Sequence, residues 1–446
     1  MHKPLGALTE TAPPPRLTGL AYRAWFLLVM VLVSASVVGE RFMMVVMVEP
    51  IRKDLGLSDT AMAMVKDMAI VIVYVLAVIP LARLTDRWSK RKMVAIAAMI
   101  WSLAVVICGF AHGFTVMLVG RIGIGLGEGA FTPASQAWIA DMSSVRQRAT
   151  TIAIFLLGAS LGNFAGPALG GWLAHTYGWR SAMMLAAIPG FVLVPIVWLT
   201  LHDVPPGFAD GHVTRAEPTP FRETFRQLLA IRTLPPFILA SACNALLTMG
   251  LVSWTPAFMQ RSHGISAQVA GLEMGGALFI GSVLGHSLGG PLADALGRRD
   301  LRWYVWILMI GGLCSALIGL LILRGPASAV FPLLGLSLMI GGLSAAPMIA
   351  VVTGLARAES RSTAVAVTMV VINVVGLGGG PLLVGLLSDA LRPSYGEASL
   401  GVAMQAMLVV GIPSTVLAWM ASRHCRADFA RSGGWDRTRQ PPLAAP

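Results

Sequence analysis

The sequence predicts an all-α integral membrane protein whose twelve transmembrane helices form two pseudo-symmetric six-helix bundles. Three observations predict this class. The chain is 56% hydrophobic and 12% charged, whereas soluble domains carry about 25% charged residues. Apolar runs of about 20 residues, each long enough to cross a bilayer, recur along the chain. Motifs of the first half return about 210 residues later in the second half.

Twelve apolar runs are predicted to span the membrane. They cover residues 23–48, 60–82, 93–112, 115–139, 149–174, 181–201, 234–259, 267–290, 303–323, 328–354, 363–387 and 399–421. The predicted divisions are a tail (1–20), a first bundle (21–201), a linker (202–232), a second bundle (233–422) and a second tail (423–446). Residues 1–20 lack the apolar core of a cleaved signal peptide, so we expect the first span to direct insertion. Within the linker, Phe221–Leu229 is an amphipathic segment predicted to lie on the membrane surface.

The net charge of +12 is explained by its distribution across the membrane. Of the 33 Lys and Arg residues, 24 fall on one side of the predicted spans, 6 fall on the other, and Arg41, Lys66 and Arg121 lie within spans. Loops rich in Lys and Arg stay in the cytoplasm. We therefore predict a multi-pass inner (plasma) membrane protein with both termini cytoplasmic and no nucleic-acid partner.

Two repeated motifs relate the halves of the chain. Gly166-Pro167 and Gly380-Pro381 are 214 residues apart, and at the same offset Gly127 matches Gly341. Glycines spaced four apart precede Gly166 and Gly380, and such spacing lets helices pack closely. The offset indicates a duplication. It places Gly335 and Gly342 opposite Arg121 and Glu128, so the second half keeps the helices without these charges.

Ionisable residues inside apolar spans are the candidate functional site. Glu40-Arg41 lies in the first span, and Arg121 and Glu128 lie seven residues apart in the fourth. Seven residues are about two helical turns, so Arg121 and Glu128 point to one side. An ionised group at the bilayer centre costs about 2.5–3.5 kcal/mol, so such residues usually face a cavity or a partner. We predict that the four form a cross-helix network with Glu40 and Glu128 as the titratable acids; the alternative is a structural ion pair.

The spans contain further polar residues in both halves of the chain. Lys66 and Asp67 lie near the start of the second span, and we expect them to snorkel toward the outer interface. Asn244, Glu273 and Asn373 lie in the second half, where they are either substrate contacts or hydrogen-bonding groups between helices.

The loop after the second span has a near copy after the eighth. In each copy an aspartate ends a span and a basic cluster follows within a few residues. The residues are Asp86, Arg87 and Arg91 in the first copy, and Asp294, Arg298 and Arg299 in the second. An acid at a helix end can pair with a neighbouring helix terminus or with arginines. We predict that the two copies latch the cytoplasmic side; the alternative is a charge cluster that sets topology alone.

The sequence contains no pattern typical of an enzyme or a metal centre. Cys108, Cys243, Cys314 and Cys425 lack metal-ligand spacing, and the eight histidines are scattered. There is no glycine-rich phosphate loop and no nucleophile elbow. We therefore predict no catalytic activity, no metal and no cofactor.

The whole stretch from about residue 20 to 422 resembles the major facilitator superfamily. The loops at Asp86 and Asp294 are similar to its cytoplasmic loop motif, with Ala82 in place of the usual leading glycine. Within the superfamily the chain resembles Spinster-type transporters. That likeness rests on Glu40-Arg41 with the following Glu49–Asp59, on Gly120–Ser135, and on Gly170-Gly171-Trp172 with Gly178-Trp179-Arg180.

The resemblance implies two halves around a midplane cavity and transport by alternating access. It also implies that Glu40 and Glu128 couple protons while Arg41 and Arg121 bind or respond to an anionic substrate. Asn244 and Asn373, taken from their place in the spans of the second half, are further candidate contacts. Eukaryotic Spinster proteins move sphingosine phosphate and lysophospholipids, which indicates an organic anion or anionic amphiphile as substrate. Expected partners are this substrate, protons and membrane lipids, and we expect a monomer. A gradient-independent facilitator and a non-transporting membrane sensor are the alternatives.

Overall fold

The computed structural model describes residues 19–144, 147–204, 221–357 and 360–432, and these ranges contain no β-strand. The helices of the first half are α1 (Leu20–Val46), α2 (Val48–Leu55), α3 (Asp59–Ala63), α4 (Ala69–Arg87), α5 (Lys90–Gly109), α6 (Phe114–Met142) and α7 (Arg148–Thr200). A π-helical turn, Met64–Met68, joins α3 to α4.

The second half begins with a short helix and continues with the second set of spans. Its helices are α8 (Phe221–Ala230), α9 (Leu234–His263), α10 (Ala267–Gly297), α11 (Trp303–Arg324), α12 (Ala327–Gly342), α13 (Ala345–Leu355), α14 (Arg361–Ile372), α15 (Gly379–Tyr395), α16 (Ser399–Met407) and α17 (Gly411–Ser432). A second π-helical turn, Asn373–Gly378, joins α14 to α15.

Ten stretches of the described ranges are long and apolar enough to cross a membrane. Two of them, Thr150–Thr200 with 51 residues and Thr363–Ser432 with 70, far exceed the ~20 residues that one crossing needs. The first is broken at Gly178 (φ 78°) and the second at Gly396 (φ 56°), both in the left-handed region that favours glycine. Each therefore crosses twice, and the predicted twelve-helix, two-bundle architecture is confirmed.

Several helices end later than the apolar runs do. The structure extends α9 to His263, where Gly264 (φ 65°) closes the helix, and α17 to Ser432, beyond the predicted boundary at residue 422. Hydropathy marks the edge of the apolar segment, whereas a helix ends where the backbone conformation changes. The amphipathic segment predicted in the linker coincides with α8. Residues 1–18, 205–220 and 433–446 lie outside the described part of the chain.

Glycines bring corresponding helices together in each half. A Cβ added at Gly162 of α7 would lie 2.6 Å from the carbonyl oxygen of Ala35 in α1, and one added at Gly166 would meet the backbone of Gly39. In the second half, a Cβ at Gly380 of α15 would meet the carbonyl oxygen of Leu246 in α9. The repeated glycine motif therefore makes the same kind of close contact in both bundles, as its spacing predicts.

The two bundles meet where α7 crosses α10. A Cβ added at Gly271 of α10 would fall on the carbonyl oxygen of Pro167 and lie 3.1 Å from Cα of Gly171. Further along the same crossing, the rings of Phe164 and Phe279 pack edge to face with centroids 6.2 Å apart. We call the end of the molecule that carries Leu20 and Ser432 the terminal end, and the opposite end, which carries Asp59, the Asp59 end.

We expect Gly271→Ala to lower the thermal unfolding midpoint in detergent, because overpacking a close backbone contact costs about 1–3 kcal/mol. Gly276→Ala is the matched control: it lies on the same helix, and an added Cβ there meets nothing within 4 Å. The control should keep or slightly raise the midpoint, since alanine favours helix over glycine. Equal midpoints for the two variants would contradict the close crossing.

Candidate functional site

The ion pair between Glu40 of α1 and Arg121 of α6 lies inside the first bundle. Arg121 donates from Nη1 to Oε1 of Glu40 at 3.1 Å, and both side chains are almost fully buried, 0% and 1% exposed. Glu40 Oε2 and two nitrogens of Arg121, Nε and Nη2, make no hydrogen bond to the described residues. A buried polar atom without a partner is unfavourable, so these three atoms can each form a further hydrogen bond with a polar ligand.

A second ion pair joins Arg41 of α1 to Glu128 of α6. Nη1 of Arg41 donates to Oε2 of Glu128 at 3.2 Å, with the arginine 22% exposed and the glutamate 8%. Glu128 Oε1 has no hydrogen-bond partner among the described residues. Neighbouring residues on a helix point about 100° apart, which is why Glu40 and Arg41 bind different partners. Arg121 and Glu128 are two turns apart on α6, so the Arg121–Glu40 and Arg41–Glu128 pairs lie at different depths in the bundle.

Arg41 and Glu128 line a cavity of about 260 Å³ between the two bundles. The second bundle contributes Asn373 and Leu377 to its wall. Further polar lining residues from the first bundle are Ser34, Tyr74, Thr132 and Gln136, and apolar ones are Phe131, Phe155 and Leu156. The cavity therefore combines one partly exposed cation and one carboxylate with aromatic and aliphatic walls.

Comparison with known proteins identifies the family. Residues 27–381 match the family model of the Major Facilitator Superfamily. The chain is 31% identical over 421 residues to an MFS-type efflux pump of Mycolicibacterium smegmatis, covering 91% of this chain and 94% of that protein. The chain belongs to the Major Facilitator Superfamily. As a superfamily member it is a membrane transporter, and it is Spinster-like.

Two further comparisons support the Spinster likeness. The chain is 26% identical over 407 residues to human protein spinster homolog 1, covering 85% of this chain and 76% of that protein. A crystal structure of a bacterial homolog of the human lysosomal transporter Spinster, inward-facing and unoccupied, superposes with a TM-score of 0.83 at 23% identity. That match covers 92% of this chain and 99% of the other. The superposition shows the superfamily fold.

The two asparagines predicted as substrate contacts lie in different places. Asn373 begins the π-helical turn between α14 and α15 and lines the cavity with Arg41 and Glu128. Asn244 of α9 is buried and is not among the residues that line this cavity. A Cβ added at Gly312 of α11 would lie 3.6 Å from Asn244 Oδ1, so that side chain faces the interior of the second bundle.

Three of the predicted latch residues, Arg91, Asp294 and Arg298, have partners within their own bundles. Arg91 donates to the carbonyl oxygens of Trp198 and Leu201 at the end of α7, both at 3.4 Å. Asp294 accepts a hydrogen bond from the Tyr304 hydroxyl at 2.7 Å. Arg298 donates to the Asp294 carbonyl oxygen of its own helix at 3.4 Å, and Arg299 is exposed. The side chains of Asp86 and Arg87 lie outside the part that the structure describes.

The expectation that Lys66 and Asp67 snorkel to the outer interface is wrong. Lys66 is 1% exposed and Asp67 9%, and both contact Ser253 of α9 in the second bundle. Ser253 hydrogen-bonds to this pair inside the protein, so the two side chains are stabilised without contact with water. Glu273 lies elsewhere, at an apolar groove of about 450 Å³ between α10 and α12.

Sequence reasoning missed several cavity residues of α4 and of the preceding π turn. Asp67, Ile70, Val71 and Tyr74 all line cavities between the bundles. Their spacing of i, i+3, i+4 and i+7 is that of one helix face. Starting this pattern from Asp67 would have identified Tyr74 as a polar group facing the site.

A group of charged side chains closes the Asp59 end, and we call it the inter-bundle clamp. Arg261 of α9 donates to Glu49 Oε2 at 2.6 Å and to both carboxylate oxygens of Asp59, at 2.8 and 2.5 Å. Ser388 of α15 donates to Asp59 Oδ2 at 2.7 Å. The carboxylate of Asp389 accepts from the backbone N–H groups of Asp59 and Thr60. These N–H groups begin α3 and have no partner within the helix, so an anion there is favourable.

The clamp also includes Arg52, which binds Glu49 at 2.9 Å. Burial opposes ionisation of Glu49 and raises its pKa, but hydrogen bonds and charges from Arg52 and Arg261 outweigh burial, so the pKa of Glu49 is lowered. A carboxylate whose pKa is lowered on folding stabilises the folded state above its unfolded pKa and loses that effect as the pH falls through its folded value.

We therefore expect Glu49→Gln to lower the unfolding midpoint in detergent at pH 7, and expect the gap to the unchanged protein to shrink below about pH 4.5, the ordinary range for glutamate. Midpoints measured from pH 7 to pH 3 test this. Glu397→Gln is the control, since that glutamate is 68% exposed beside Arg52 and Arg392 and should change the midpoint little at any pH. A gap for Glu49→Gln that stays constant down to pH 3 is the contrary result.

Proposed function

We propose that this transporter is proton-coupled and moves an organic anion or an anionic amphiphile by alternating access. The observation that carries the proposal is the arrangement of two ion pairs between the same two helices, of which Arg41–Glu128 lines the cavity and Arg121–Glu40 is buried in the first bundle. Glu40 and Glu128 each have one carboxylate oxygen without a hydrogen-bond partner among the described residues, and each carboxylate depends on one arginine for its counter-charge.

The anionic substrate and Glu128 compete for Arg41, and this competition couples substrate binding to protonation of Glu128. Its 22% exposure and its place in the cavity wall make it the cation that an entering anion meets first. An anion that draws Arg41 away leaves Glu128 buried without a counter-charge, and burial without a partner favours the protonated form of a carboxylate. Glu128 then takes up a proton as substrate binds. The Arg121–Glu40 pair, two turns away along α6, provides a second site where loss of the arginine favours protonation of the glutamate.

The walls of the cavity favour a ligand that is partly apolar. Phe131, Phe155 and Leu156 face the same space as Arg41 and Glu128. Ligand sites are generally apolar with a few placed polar groups that fix orientation. An anionic head at Arg41 with an apolar portion against the aromatic rings fits this lining, and Asn373 serves as a polar contact from the second bundle.

In the proposed setting the chain is a monomer in the inner membrane with both termini in the cytoplasm. The excess of Lys and Arg in the loops of the terminal end supports this orientation. The clamp then closes the outer side. The loops with Asp86, Arg87 and Arg91 and with Asp294, Arg298 and Arg299 would latch the cytoplasmic side when the bundles rock.

Proteoliposomes test the coupling. We expect an inward proton gradient to drive accumulation of lysophosphatidylglycerol, and we expect Glu128→Gln and Glu40→Gln to abolish gradient-driven accumulation while exchange at equal pH remains. Glu273→Gln, an exposed carboxylate of α10, is the control and should keep full gradient dependence. Gradient dependence retained in both Glu128→Gln and Glu40→Gln would refute proton coupling and favour a facilitator whose ion pairs only hold the helices together.

Thermal stabilisation by ligand tests the substrate class. A ligand at 100 times its dissociation constant stabilises by about 2.7 kcal/mol, so lysophosphatidylglycerol should raise the unfolding midpoint measurably. The shift should disappear in Arg41→Gln and persist in Arg324→Gln, an exposed arginine at the end of α11. An uncharged monoacylglycerol should give a smaller shift, since it lacks the anionic head. Equal shifts for the two ligands would argue against recognition of an anion.

A further inference from the structure

A further buried charge pair lies at the contact between the bundles, outside the two pairs of the site and outside the inter-bundle clamp. Lys66 and Asp67 sit on the π-helical turn Met64–Met68. The Lys66 ammonium contacts both the Asp67 carboxylate and the hydroxyl of Ser253, which belongs to α9 of the second bundle. Ser253 in turn donates to Asp67 Oδ2 at 2.8 Å. We call these three residues the interface triad.

The interface triad adjoins the site through Arg41. Asp67 and Ser253 line a small cavity of about 20 Å³ whose wall also includes Arg41. Arg41 lines the larger cavity with Glu128 as well. Arg41 therefore lines both cavities, one with Glu128, which it binds in this structure, and one with Asp67, which binds Lys66 and Ser253.

The backbone at the triad is irregular on both sides of the interface. π-Helical turns are rare, and single turns of this kind within α-helices are frequently found at functional sites. The one that carries Lys66 and Asp67 packs against the second such turn, Asn373–Gly378, where a Cβ added at Gly378 would lie 2.9 Å from Met68 Sδ. The first residue of that second turn, Asn373, lines the cavity. Both irregular turns thus meet at the contact between bundles, next to the site.

A buried ion pair adds little stability compared with apolar residues of the same size, because desolvation offsets the attraction. Packing alone would not require Lys66 and Asp67 here. Polar groups at a contact that must open have one advantage over apolar ones, since water can replace their partners when the contact separates.

We propose that Lys66 and Asp67 are positioning residues that tie the charge state of the cavity to the contact between bundles. This inference rests on the proposed function. When an anion draws Arg41 from Glu128, the guanidinium stays bound to the anion and turns its remaining N–H donors toward Asp67. Asp67 then gives up its hydrogen bond from Ser253, and the bundles part at the Asp59 end.

Cysteine labelling at the Asp59 end tests the contact. Val46 is fully buried, and its carbonyl oxygen accepts a hydrogen bond from Gln260 of the second bundle at 2.9 Å. In a protein whose four native cysteines are alanine, Val46→Cys reports opening through its reaction with a water-soluble maleimide. We expect Ser253→Ala to speed this reaction about tenfold, as the loss of a hydrogen bond to a charged group would do.

Ser241→Ala is the matched control. Ser241 is a buried serine on the same helix, and its hydroxyl bonds to the Phe237 carbonyl oxygen of its own helix at 2.9 Å. It should leave the labelling rate unchanged. Equal rates for Ser253→Ala and Ser241→Ala would overturn the inference.

A second variant removes both charges of the pair, so that no unpaired buried ion hinders folding. Lys66→Gln combined with Asp67→Asn should label as fast as Ser253→Ala, and lysophosphatidylglycerol should no longer change its labelling rate. A ligand response equal to that of the unchanged triad would overturn the link to the cavity. Labelling needs no proton gradient, so its outcome is separate from the transport assay. Gradient dependence retained in both Glu128→Gln and Glu40→Gln would refute proton coupling alone, whereas equal labelling rates would refute the triad alone.

Discussion

The burial of Arg121 between membrane-spanning helices is the constraint on which the rest of the site depends. A cation with 0% exposure in a helix that crosses a bilayer must have an anion against it, and Glu40 is that anion. Because Arg41 follows Glu40 on α1, fixing one side chain also fixes the direction of the other. Arg41 consequently faces Glu128, two turns further along α6, at the wall of the cavity. One obligatory pair thereby orients a second, accessible pair.

The sequence carried enough information to find these four residues but not their surroundings. Charges in apolar runs are rare, and a separation of seven residues on α6 puts Arg121 and Glu128 on one side whatever else packs there. The depth of a residue along a helix does not reveal what lies opposite it. Lys66 therefore read as a snorkelling side chain, although Ser253, 187 residues away, provides a partner at depth. Asn244 and Asn373 looked equivalent for the same reason, yet one faces α11 and the other faces the cavity.

The repeated motifs predicted how the helices pack, but they did not predict the contacts between charged side chains. The glycines of α7 and α15 make matching contacts with α1 and α9, because close approach needs only the absence of a side chain. The inter-bundle clamp was not predicted. Arg52 and Arg261 fall outside the predicted spans and count only as charges on one side of the membrane. Their common partner Glu49 is 212 residues from Arg261 in the sequence. Counting Lys and Arg residues in loops predicts which side of the membrane such a residue lies on, but it does not predict the residue that it binds.

The charges that join the bundles change in kind with depth. At the Asp59 end, Arg261 of the second bundle binds Glu49 and Asp59 of the first. Water can solvate each of these ions when the clamp opens. Deeper in, both members of the Lys66–Asp67 pair belong to the first bundle, and the second bundle offers the neutral hydroxyl of Ser253. An ion pair split between bundles at that depth would leave two isolated charges on separation, each at a cost of several kcal/mol. Keeping both ions on one side limits the loss to hydrogen bonds, so the interface can open without stranding a charge.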